Sequence, residues 1–122
     1  MAATTMNNPL GWHVLSESNG TLSRETVTVA SGAGLLQPGM VLGKVTATGK
    51  YLPYDNAATD GTQSAAAVLF AEVNAASADV KAVVHVRHAE VWNSRLLWKS
   101  SNAAADKTAG LADLAALGLY AR

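Results

Sequence analysis

The chain has 122 residues, a length for which one domain is the expectation. Nine Lys and Arg balance nine Asp and Glu, so no basic excess exists to grip a nucleic-acid backbone or an acidic membrane surface. Cysteine is absent, which excludes disulfides, thiol catalysis and cysteine zinc sites, and no apolar run approaches the roughly 20 residues of a membrane helix.

Residues 1–23 show no sustained period. Met1 to Asn8 lacks the cationic start and apolar stretch of a signal peptide. Pro9-Leu-Gly and Ser18-Asn-Gly are turn signals, yet Leu10, Trp12, Val14 and Leu15 give the segment apolar anchors. It reads as an extended N-terminal arm ahead of a domain over 24–122. Glu25 to Ala30 alternates β-branched residues and predicts a strand. Ser31-Gly-Ala-Gly34 breaks it, and Gln37-Pro-Gly-Met40 fits a type II turn. Residues 40–47 predict a second strand, Thr48-Gly49 a tight hairpin, and residues 50–55 the return strand. Pro53 places that strand at an edge or a strand end. Residues 56–64 form a long loop.

The apolar run from Ala65 to Val73 suits a buried strand or a helix by length alone; the turn expected over 74–79 favours strand. Residues 80–91 predict one long strand with Val80, Ala82, Val84 and Val86 on one face and Lys81, His85 and Arg87 on the other. Asn93 to Lys99 is one helical turn or a bend that buries Leu96, Leu97 and Trp98. A short helix is expected over 107–117, capped by Asp106 or Asn102, with Leu111, Leu114 and Ala115 inward and Gly118 just past its end. The expected fold class is α+β, mostly β, with a short C-terminal helix.

No catalytic or cofactor-binding constellation emerges. His85 and His88, three apart on a strand, point to opposite faces, and His13 lies on the arm, so all three read as surface or interface histidines. The Gly-rich turn at 31–34 lacks the Lys and the spacing of a phosphate loop. Asp55 and Asp60 fall in a loop, where solvation is the ordinary state of such acids. Charged residues make up 15% of the chain and Ala 24 of its residues, against roughly 25% charge in an average domain. Either copies or a partner cover much of the surface, or Ala simply replaces Lys and Glu.

The stretch Gln37-Pro-Gly-Met-Val-Leu-Gly-Lys-Val-Thr46, then Gly49-Lys-Tyr51, Tyr54-Asp55, Asp60-Gly61, Ala67-Val-Leu69, Val86-Arg-His-Ala-Glu-Val91, Leu96-Leu-Trp98 and Leu114-Ala-Ala-Leu-Gly-Leu119, in this order, resembles the lambda D-like head decoration protein family of tailed bacteriophages. The likeness covers residues 24–122. It implies a nonenzymatic homotrimer without cofactor or metal. Such a protein would be made in the bacterial host cytoplasm and bound to the outer surface of the virion at three-fold and quasi-three-fold positions. Its partner would be the major capsid protein, its role that of a cement against packaged-DNA pressure, and neither nucleic acid nor membrane would be bound. Leu10, Trp12, Val14 and Leu15 are the expected capsid contacts. A small β-rich hydrolase, or another phage structural or adhesion module, is the alternative.

Overall fold

The computed structural model describes residues 11–18 and 22–122. Five strands close into a barrel in the order β2 (Arg24–Val29), β5 (Tyr51–Pro53), β4 (Val41–Lys44), β6 (Ala65–Leu69) and β8 (Val80–His85). The longest ladder is antiparallel, β2 on β8, and runs from Arg24 opposite His85 to Val29 opposite Val80. Beside the barrel, β3 (Gly34–Leu36) pairs with β7 (Val73–Ala75). A separate three-stranded sheet has the order β1 (Val14–Glu17), β9 (Ala89–Val91), β10 (Leu119–Ala121). The fold is thus mostly β, with one helix, α1 (Ala104–Ala116), near the C-terminus.

Two cores explain the apolar runs. Val29, Leu42, Tyr51, Ala67, Leu69, Ala82 and Val84 share the first core, with Leu36 and Ala75 from the small hairpin. Val41, Tyr54, Ala65, Val68, Ala89, Val91, Leu96, Leu114 and Leu119 form the second, joining the outside of β4 and β6 to α1 and the three-stranded sheet. Neighbouring residues Val41 and Leu42, or Val68 and Leu69, therefore enter different cores. A strand buried on both faces has no polar face to write into its sequence, which is why 65–69 reads as an unbroken apolar run.

The type II turn is present, with Gly39 at φ +98° and Met40 N–H donating to Gln37 O at 3.2 Å. The helix starts earlier than expected, at Ala104. Neither expected cap occupies the N-cap position, which is Ala103. Asp106 instead reaches back to accept from the Ala103 backbone N–H at 2.8 Å. Buried Asn102 donates to Tyr54 O and accepts from the Asn56 N–H, tying the connector to the loop after β5. Gly118, at φ +86°, ends the helix as expected.

The long strand expected over 80–91 is two strands. It breaks after His85, and His88 takes φ +52°, so β9 leaves the barrel to become the centre of the other sheet. Besides β3, which follows the expected break at 31–34, two further strands were not expected: β7, which runs from the last residue of the apolar run into the expected turn, and β10 at the C-terminus. Both are three residues long and are defined by partners far away in sequence, β3 and β9.

Candidate functional site

The described part of the expected arm lies on the domain. Val14 pairs with Val91, Ser16 with Glu90 and Glu17 with Ala89, and the register shifts between Val14 and Ser16. Trp92 N–H donates to His13 O at 2.8 Å and Ser18 N–H to His88 O at 3.1 Å. An ordered extended segment must satisfy its backbone groups somewhere; residues 13–18 do so mainly on β9 and its flanking residues His88 and Trp92, while Val14 N–H turns back to Gly11 O. The division expected at residue 23 thus falls after a strand that is already part of the domain's sheet.

The bulge decides what the strand presents. With strict alternation Val14 and Glu17 would face opposite ways. One extra residue lets both share the inner side, opposite Val91 and Ala89. Glu17 then enters a polar cluster. It accepts from Arg24 Nε at 3.1 Å and Nη2 at 2.5 Å, from Ser23 Oγ at 3.1 Å, and from His85 Nε2 at 2.5 Å. The hydrogen bonds from Arg24 hold the Glu17 carboxyl down at about 2, with His85 and Ser23 adding to the effect. Arg24 also lies 4.0 Å over the Phe70 ring, and Phe70 meets His85 edge to face.

His13 and His85, read from the sequence as surface or interface histidines, are fully buried within the chain's own fold. Their rings meet edge-on with centroids 5.7 Å apart. Neither His13 nitrogen has a hydrogen-bond partner, and His85 Nδ1 has none either. Burial, then the proximity of His85, lowers the His13 pKa to about 4, against a partial counter-effect from Glu17. Burial also lowers that of His85, offset in part by its bond to Glu17. The parity of His85 was legible, since it shares a strand face with Lys81; that β1 covers that end of the face was not.

Of the expected contact residues, Leu10 lies outside the described residues. Trp12 is half-buried, with Nε1 donating to Pro38 O at 3.0 Å while Arg95 donates to its carbonyl at 2.7 Å. Val14 is half-buried, and Leu15, at the bulge, is exposed. Trp92 and Tyr120, on or next to strands of the same sheet, are also exposed. Glu17, Arg24 and Ser23 carried no sequence signal as a group. Among the described residues, no set of three or more His, Asp or Glu side chains is arranged to hold a metal ion.

The family model of the bacteriophage lambda head decoration protein D matches residues 3–119. The chain belongs to this family. It is accordingly a structural protein that decorates the phage head, associated with the capsid surface. The match reaches back through most of the first 23 residues, which the resemblance read from the sequence left unmatched. No curated protein matches the chain.

Proposed function

We propose that the chain acts as a cement: a homotrimer on the outer surface of the expanded head, at three-fold and quasi-three-fold positions, holding neighbouring major capsid protein subunits against the pressure of packaged DNA. It does so without catalysis or cofactor. The family match carries the reading. A net charge of zero with 15% charged residues suits a surface that is covered in the assembly.

Residues 1–23 are the segment that meets the capsid, and 24–122 the body of the trimer. The observation favouring this is the bulge in β1, which leaves Leu15 exposed on a strand that, among the described residues, has a partner on one side only. An exposed strand edge accepts a further strand through main-chain bonds, with side chains setting register. Leu10 and Leu15 contact the capsid directly, while Trp12 and Val14 hold the segment in place for it.

The test is capsid pelleting with three proteins, the full chain, a chain lacking residues 2–10, and Leu15→Asp, each checked by circular dichroism and sedimentation. Folded trimers with reduced occupancy on the head are expected for both variants. Three arms acting together amplify a modest loss per arm. Wild-type occupancy by both variants would move the contact to another face of the trimer. A monomer in solution and on the head would overturn the trimeric reading.

A further inference from the structure

The polar cluster beneath β1 has a property that decoration alone does not require. Its members come from both sides of a joint. His13 and Glu17 belong to the N-terminal segment, Arg24 to β2, and His85 to β8. Among the described residues, this cluster joins residues 11–18 to the barrel through side chains, beside the main-chain pairing, the Trp12 contacts and the bond from Ser18 Oγ to His88 O.

We propose that the cluster is an acid-sensitive latch: protonation of buried His13 releases residues 11–18 from β9 while the barrel stays folded. The argument starts from the unpartnered nitrogens. A neutral imidazole with no hydrogen bonds is already costly to bury, and a charged one with no acceptor is far costlier. The only carboxylate in the cluster, Glu17, is engaged by Arg24, Ser23 and His85. The other charges near the joint give no relief. Arg95 is cationic and faces the Trp12 carbonyl and the rings of Trp12 and Trp92. Glu90 of β9 pairs with Arg122, and His88 is exposed beyond the strand break. A proton on His85 is opposed by Arg24 but shared with Glu17; a proton on His13 meets His85 instead.

Release puts His13 in water, where it titrates normally. The docked form keeps its pKa near 4 rather than 6.5, so acid favours the released form. The sign follows: docking is fully favoured above 6.5 and weakens as pH falls through that value toward 4. From His13 alone, the docking constant drops about 20-fold between pH 7 and pH 5. The released segment would free the edge of β9 and expose Trp12 and Val14.

Amide hydrogen exchange of the full chain, read as protection relative to intrinsic rates, tests this. Protection over residues 12–18 is expected to fall about 20-fold from pH 7 to pH 5, while residues 80–85 of the barrel change little. His13→Phe and His13→Leu should remove the pH dependence. The His13 titration followed by nuclear magnetic resonance gives a second readout that needs no variant, with a midpoint between the docked value of about 4 and the free value of 6.5 expected. A midpoint at or above 6.5, equal protection of 12–18 at both pH values, loss of segment and barrel together, or an unchanged drop in both variants would each overturn the latch. None of these measurements involves the capsid, so they stand apart from the decoration reading.

Discussion

Glu17→Gln isolates the carboxylate that joins β1 to the barrel. Gln has nearly the same shape, but one of its two oxygens becomes an amino group that faces donors. Of the bonds to Glu17, two come from Arg24, one from Ser23 and one from His85. Hydrogen bonds to charged groups contribute about 1.5–3 kcal/mol each, but they are not additive here, and the Arg24 side chain is 34% exposed, so water recovers part of its loss. A net cost of about 2–3 kcal/mol is expected. At about 4 °C per kcal/mol for a chain of this size, that lowers Tm by roughly 8–12 °C. A double-mutant cycle with Arg24→Gln should return a coupling of about 2 kcal/mol. The pH dependence has a defined sign. The folded-state carboxyl titrates at about 2 and the unfolded one at 4.5, so its contribution is present above 4.5 and lost as pH falls toward 2. The Tm gap between the full chain and Glu17→Gln should therefore narrow in that window. A coupling below about 0.5 kcal/mol, or a gap as wide at pH 3 as at pH 7, would refute the account of the cluster as organised around Glu17.

Leu114 is the helix residue most deeply set in the second core; Leu114→Ala should cost about 2–5 kcal/mol in urea unfolding with an unchanged m-value. Tyr54 is fully buried, its hydroxyl 2.9 Å from Asp106 O and 3.1 Å from Asn56 Oδ1. Tyr54→Phe should lower stability by about 1–2 kcal/mol by leaving the helix carbonyl short of a donor, as differential scanning calorimetry would register. Gly61 sits at φ +113°, and a Cβ there would lie 2.4 Å from Lys44 O. Gly61→Ala should thus destabilise by about 3 kcal/mol or more, measurable as a large fall in Tm.

Much of the barrel is legible in the sequence because its strands carry local signals. The β-branched alternation of 25–30 appears as β2, and β4 and β5 fall within the expected spans after the turn at 37–40, joined by a turn over 46–49 that is wider than the tight hairpin expected at Thr48-Gly49. Leu114 on the buried helix face and Gly118 at its end also follow from local chemistry. What was not legible shares a cause. β7 and β10 have three residues each, too few for a period to register. The break between β8 and β9 interrupts an apparently continuous pattern at His88. Gly110, inside α1, admits close approach of Trp98 and Tyr54, since a Cβ would lie 2.8 Å and 3.0 Å from their rings; one glycine in a helical stretch does not announce a neighbour.

The first 23 residues show the division most clearly. Sequence alone determined that this segment has apolar anchors without period, that the chain is neutral and poor in charge, and that strands and a terminal helix follow. These are properties of composition and of residues within a few positions of each other. Only the tertiary structure decided that Val14–Glu17 is a strand on β9 and that a bulge turns Glu17 inward. It also decided that His13 meets His85 across 72 positions of chain. A bulge is one residue of register, set by the partner strand and invisible in the strand's own order of side chains. A buried histidine differs from a surface one only in what lies against it, which the closing of distant segments supplies.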